Sequence, residues 1–242
     1  MAGKIFVVGI GPGEYEGMTI KAKNALDMSE CIIGYSVYVD LIKPLFPGRE
    51  FLTTPMTKER ERCVMAFEKA SKGLCVSMVC SGDAGVYGMS SLMLEIGRDY
   101  KEIEIEMIPG VSAMLSGAAV LGAPLIHDFC IISLSDRLTK WSLIEKRLKS
   151  ASIGDFVVVL YNPSSKGRPD YLKKACQILM EDKDKNTICG IVRNIGRVGE
   201  ESRILTLKEL ENTEVDMFTT VFIGNSQTEI IDGKMSTPRG YL

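Results

Sequence analysis

The chain has one histidine among 242 residues and no Cys-x-x-Cys pair. Zinc needs clustered nitrogen and sulfur ligands, so this scarcity argues against a protein-bound zinc site. The seven cysteines, at 31, 63, 75, 80, 130, 176 and 189, are odd in number and lie mostly in apolar runs. They read as reduced core residues of a cytoplasmic protein, not as a disulfide framework. An excess of either charge is also missing. The 29 basic and 31 acidic side chains leave a net −2, which recruits neither nucleic acid nor an anionic membrane surface. Long apolar runs are absent as well: stretches such as Phe156 to Tyr161 fall far short of the ~20 residues that span a bilayer. A strand pattern begins at once, so no signal peptide is expected. No repeat of fixed period and no low-complexity segment is present.

What remains is an ordinary folded composition, 45% hydrophobic and 25% charged. Lys4 to Gly9 is a β-branched run ending in glycines, the pattern of a buried strand. Met18 to Met28 has helical spacing, Cys31 to Gly34 reads as a strand, and Thr57 to Lys72 as an amphipathic helix. Strand Leu74 to Val79, helix Tyr87 to Arg98, strand Ile103 to Ile108 and helix Ser112 to Leu121 follow. This alternation implies βαβ units and a mostly parallel sheet.

Gly122-Ala-Pro124 is the natural boundary, giving domains 1–122 and 123–242. Beyond it come strand Phe129 to Ser133, helix Trp141 to Ser150, strand Phe156 to Tyr161 and helix Pro169 to Met180. Strand Thr187 to Val192 is next; Arg203 to Thr206 and Phe218 to Ile223 then flank one short helix, Leu207 to Leu210. The second domain is therefore expected to be α/β with a mixed sheet and hairpin-like pairing.

Three glycine-bearing loops end strands of the first domain. Gly9-Ile-Gly11-Pro-Gly13 lacks the third glycine of a dinucleotide fingerprint, because position 14 is Glu14, and Pro12 removes an N–H that a phosphate would need. It is either a tight turn or backbone that a ligand approaches closely, as Gly11 allows. Ser81-Gly-Asp83-Ala-Gly85-Val-Tyr87-Gly88 places one carboxylate at a strand end. Asp83 there either accepts from a ligand hydroxyl or amine or caps the next helix. Ile108-Pro-Gly-Val-Ser112-Ala113 repeats the arrangement, and three such loops would line one cleft.

In the second half, His127-Asp128 and Ser133-Leu-Ser-Asp136-Arg137 flank a short strand. A lone histidine is more often structural than catalytic. Lys166, Arg168, Arg193 and Arg197 follow strand ends, where they either form a solvated surface or converge on an anion.

In this order the loops resemble the tetrapyrrole methylase family. GIGPG at 9–13, SGDAGVYGM at 81–89, IPGVSA at 108–113 and LYNPSS at 160–165 match its landmarks along essentially the whole chain. LGAPLIHDFCIISLSD at 121–136, RNIG at 193–196 and TPRGY at 237–241 are similar to the branch that methylates C-17 of a corrin precursor and contracts the ring. The resemblance implies two α/β domains, a cleft holding S-adenosylmethionine between them, S-adenosylhomocysteine as product, and a homodimer. It implies cofactor contacts from Pro12, Asp83, Val86, Ser112 and Ala113, with Asn162, Asn194 and Ile195 added by the second domain. The substrate it implies is a corrin precursor, with or without cobalt, that carries eight carboxylates. Gly11 and the cations Lys166, Arg168, Arg193, Arg197 and Arg239 are the residues suited to hold it. Methyl transfer from a sulfonium chiefly needs alignment. Ring contraction needs proton transfers, for which His127, Asp128 and Asp136 are the candidates. The competing readings are the same fold acting on another tetrapyrrole carbon or a macromolecule, and a non-catalytic nucleotide-binding module. The module would give no reason for the polar and basic strand ends of the second half.

Overall fold

A computed structural model describes residues 3–165 and 167–241. Lys166 lies outside the described residues. Contacts divide the chain into two compact units that meet at Ala113/Met114.

The first unit is a five-stranded sheet of β1 (Lys4–Gly9), β2 (Cys31–Tyr35), β3 (Glu50–Thr54), β4 (Cys75–Cys80) and β5 (Glu104–Ile108), in the order β3-β2-β4-β1-β5. Every pairing is parallel. The connecting helices are α1 (Ile20–Met28), α2 (Ser36–Ile42), α3 (Glu59–Ala70) and α4 (Ser90–Gly97). Side chains alternate between faces along a strand, and both faces are buried here. Ile5 and Val7 of β1 join a core with Phe67 of α3 and Met93 of α4. Phe6 and Val8 join a second core with Leu26 of α1 and Val39 of α2. That two-sided burial explains why β1 reads as one unbroken apolar run.

The second unit holds the rest of α5 (Ala113–Leu121), then β6 (Gly122–Ala123), β7 (Phe129–Ser133), α6 (Trp141–Ile153) and β8 (Val157–Tyr161). It continues with α7 (Tyr171–Leu179), β9 (Ile188–Arg193), β10 (Glu201–Thr206), α8 (Leu207–Leu210), β11 (Thr219–Ile223), β12 (Glu229–Ile231) and β13 (Lys234–Ser236). Its main sheet has the order β10-β9-β11-β8-β7 and is mixed. β7 and β8 are parallel, whereas β11 runs antiparallel to both β8 and β9. The hairpin is β9 with β10, and β11 pairs with β9 and β8, not with β10.

α6 and α7 cover one face of this sheet through Ile144, Leu148, Leu172 and Leu179. α5 covers the other. A Cβ at Gly117 would lie 2.9 Å from Phe222 Cζ, and one at Gly190 would lie 2.5 Å from Leu121 Cδ1. This packing draws nearly all of α5 into the second unit, so the contact break precedes the sequence boundary at Gly122. A small third sheet, β12-β13-β6, secures the chain after β13: Thr237 is fully buried and its N–H donates to Ala123 O at 3.1 Å.

Candidate functional site

Parallel strands discharge their loops at one edge, and β4, β1 and β5 are neighbours in the first sheet. The loops that follow them therefore start side by side, at the edge where open α/β sheets bind ligands. They are also joined by backbone. Gly11 and Gly82 exchange two hydrogen bonds, of 3.1 and 2.7 Å. A Cβ at Gly110 would lie 2.2 Å from Gly82 O and 2.5 Å from Gly9 O, so only glycine permits this approach. Gly11 and Gly82 have φ of +80° and +66°, which favour the same residue.

Asp83 fastens two of the three loops. Its Oδ1 accepts from Gly85 N–H at 2.8 Å and its Oδ2 from Gly110 N–H at 2.9 Å. It does not cap α4, whose first residue is preceded by Met89. Thr19 ties the third loop to α1: its Oγ1 caps the helix at Ala22 N–H and donates to Pro109 O. Gly11, Pro12, Asp83, Ser112 and Ala113 thus belong to one knotted edge. Pro12 and Ser112 are buried there, and Val86 is half-buried.

At the second sheet, β7, β8 and β9 point the same way, so the loops carrying Asp136, Asn162, Arg168, Asn194 and Arg197 leave a common edge. Asn162 and Asn194 both have left-handed backbones, with φ of +53° and +51°. Asparagine tolerates that conformation better than most residues. Their side chains are committed locally: Asn162 Nδ2 donates to Ser133 Oγ at 3.0 Å, and Asn194 Nδ2 to Gly199 O at 3.3 Å. Ile195 is buried, and a Cβ at Gly117 of α5 would lie 2.8 Å from its Cδ1.

The arginines of this edge have partners. Arg168 Nη1 donates to Ser135 Oγ at 2.8 Å and lies 3.3 Å from Asp136 Oδ1, while Nε donates to Ser165 Oγ. Tyr171 Oη donates to Asp136 Oδ2 at 2.6 Å, and Tyr171 itself packs on Trp141 with ring centroids 4.4 Å apart. The Tyr171 hydrogen bond, followed by the Arg168 charge, holds the Asp136 carboxyl below the usual carboxylate range. Arg193 Nε donates to Asp216 Oδ2 at 2.8 Å, and the Arg197 guanidinium sits 5.9 Å from the Phe218 ring centroid. Arg239 is exposed in the segment after β13.

The three candidates for proton transfer do not come together. His127 and Asp128 precede β7, whereas Asp136 follows it, so they sit at opposite edges of the second sheet. A strand of this length separates its ends by roughly 15 Å. His127 Nδ1 accepts from Asp128 N–H at 2.8 Å, which leaves the proton of the neutral ring on Nε2. Asp128 is 86% exposed. Sequence reasoning missed Tyr161 and Tyr171. Tyr161 Oη accepts from Met114 N–H at 2.9 Å, satisfying an otherwise free donor in the first turn of α5. The sequence signal for Tyr161 was an aromatic residue at a polar strand end; Tyr171, the first residue of α7, carried none. Among the described residues no group of three or more His, Cys, Asp or Glu can hold a metal ion, and no helix is long and apolar enough to cross a membrane.

Residues 4–211 match the family model of the tetrapyrrole (corrin/porphyrin) methylases. The chain is 44% identical over 97% of its length to the Salmonella typhimurium (strain LT2) protein named "Probable cobalt-factor III C(17)-methyltransferase", and covers 98% of it. It is 37% identical over its whole length to a Sinorhizobium protein named "Precorrin-3B C(17)-methyltransferase", again covering 98%. Two other relatives are longer, and the chain spans 46% and 53% of them. The crystal structure of the methyltransferase CobJ is similar with a TM-score of 0.91 at 36% identity, covering 98% of this chain and 100% of that one.

Proposed function

The chain belongs to the tetrapyrrole methylase family, and from that premise we propose that it methylates C-17 of cobalt-factor III or precorrin-3B with ring contraction, using S-adenosylmethionine. The observation that carries this reading is the near end-to-end likeness to relatives bearing those two names.

The residues of the first unit fit the cofactor. Each Asp83 oxygen has accepted one backbone N–H, and a carboxylate has about four acceptor sites, so lone pairs remain for a ribose hydroxyl or an amine. Pro12, Val86, Ser112 and Ala113 are the proposed companions of Asp83. When bound, the cofactor supplies a methyl group already activated by the sulfonium. The protein's task is then alignment, and a loop cluster knotted by Gly11, Gly82 and Gly110 is rigid enough for it. The Asn162 and Asn194 amides each spend one Nδ2 hydrogen bond locally, so their proposed cofactor contacts run through the backbone or the remaining amide atoms, and that of Ile195 through the backbone.

For the acidic macrocycle, Gly11 is the proposed point of close backbone approach, and Arg168, Arg193, Arg197 and Arg239 are the proposed cations. Lys166 remains a candidate from the sequence alone. Asp136, held by Tyr171 and facing Arg168, is also proposed as a positioning residue for that arginine. His127, with its proton on Nε2, can donate to a developing oxyanion, and Asp128 is the adjacent exposed base. Incubation with methyl-labelled S-adenosylmethionine and each corrinoid tests the reading: label must pass to the macrocycle, and its retention in the cofactor overturns the proposal.

A further inference from the structure

We propose that Arg62 is a buried receptor for a carboxylate of a bound ligand, an inference that rests on the corrin-methylating reading above. Arg62 lies in the first turns of α3 and is only 4% exposed. Its Nε donates to Thr54 Oγ1 at 2.9 Å and its Nη2 to Pro55 O at 3.2 Å. The guanidinium carbon lies 6.0 Å from the Tyr35 ring centroid, and Tyr38 packs edge-on against that ring at 5.2 Å. All these partners are neutral. Among the described residues no carboxylate pairs with Arg62: the nearby Glu61 is taken by Lys58, and Glu59 accepts from Thr57 N–H.

The guanidinium is thus a buried positive charge with no carboxylate partner among the described residues. Buried charges are ordinarily paired, because removal from water is costly and neutral acceptors compensate it only in part. The third nitrogen, Nη1, donates to nothing among the described residues. No buried side-chain nitrogen there lacks a partner, so Nη1 must reach solvent. The guanidinium is thus fixed at two nitrogens and open at the third.

Tyr35 and Thr54 are the last residues of β2 and β3 and are register partners. β2 adjoins β4, whose following loop carries Asp83. Arg62 therefore stands at the ligand-binding edge of the parallel sheet, beside the knotted loops. An oriented guanidinium with no carboxylate partner among the described residues suits a carboxylate. The two acids in the reaction that carry one are the corrin precursor and the amino-acid end of S-adenosylmethionine.

Calorimetric titration of the full chain with cobalt-factor III, and separately with S-adenosylmethionine, tests this in Arg62→Gln and Thr54→Val. Arg62→Gln should weaken one of the two ligands about tenfold to a hundredfold. Which ligand weakens identifies the carboxylate. Thr54→Val, which keeps the charge but frees Nε, should weaken the same ligand less, and it carries the test if Arg62→Gln does not fold. The melting temperature of Arg62→Gln without ligand is read beside the affinities, since the hydrogen bonds to Thr54 and Pro55 are lost together with the charge. A fall in melting temperature with both affinities unchanged would mean a purely structural arginine and overturn the proposal. Wild-type chain that binds neither ligand would instead overturn the corrin-methylating reading itself, and this proposal with it.

Discussion

Tyr171 donates its phenolic hydrogen to Asp136 Oδ2 at 2.6 Å, while the other oxygen of that carboxylate lies 3.3 Å from Arg168 Nη1. The chain of contacts fixes an arginine at the edge of the second sheet and keeps an aspartate ionised. Asp136 has its folded pKa depressed, with the Tyr171 hydrogen bond as the largest cause. Whatever it contributes is therefore present at neutral pH and is lost only as pH falls through a value below the ordinary one. Tyr171→Phe should move the Asp136 carboxyl resonance titration upward in carbon-13 NMR. An unmoved titration would show that the tyrosine does not hold this carboxylate.

Arg168 and Arg193 each face a carboxylate, Asp136 and Asp216, and their side chains are 17% and 46% exposed. Neither is a free point charge, yet guanidinium donors remain on both. Changing both to glutamine should raise the dissociation constant for the corrinoid and flatten its dependence on salt. S-adenosylmethionine binding should be little affected. Normal corrinoid binding at low and high salt would rule out a basic rim.

Asp83 serves two loops, so its loss acts twice. Asp83→Ala should weaken S-adenosylmethionine by about 1–3 kcal/mol, the cost of losing a charged acceptor that also fastens two loops. Asp83→Asn keeps one acceptor oxygen and should lose less. Equal affinities of wild type and Asp83→Ala in a calorimetric titration would remove this residue from the cofactor site.

Much of this architecture was legible in the sequence, for identifiable reasons. β1 and β8 are buried on both faces and declare themselves as unbroken β-branched runs, and the loops after β1, β4 and β5 carry glycines that tight turns demand. β3 was missed because Glu50-Phe-Leu-Thr-Thr54 is an edge strand with little apolar signal. α2 was missed because Ser36-Val-Tyr-Val-Asp-Leu-Ile42 is rich in strand formers and becomes helical only by packing Val39 and Ile42 into the core. The sheet of β12, β13 and β6 consists of two- and three-residue strands defined by pairing, which no local pattern announces. The partners of Asp136 were not legible for a related cause: they lie 32 and 35 residues away. Arg62 had a faint signal, since it occupies the buried stripe with Ala66 and Ala70.

Tyr161 gives the second unit a helix cap made by a side chain from the end of β8. Tyr161→Phe removes the acceptor for Met114 N–H and should cost about 0.5–1.5 kcal/mol. For a chain of this size each kcal/mol corresponds to about 2–4 °C in melting temperature. An unchanged melting curve would show that water or another acceptor replaces the hydroxyl at no cost.

The proposed reaction is methyl transfer to C-17 with loss of a ring-bridging position. Carbon-13 NMR of the product made from cobalt-factor III or precorrin-3B with carbon-13-methyl S-adenosylmethionine tests it most directly. A single new labelled methyl at C-17 of a contracted macrocycle is expected. A label at another ring carbon, or at C-17 of an uncontracted ring, would contradict it.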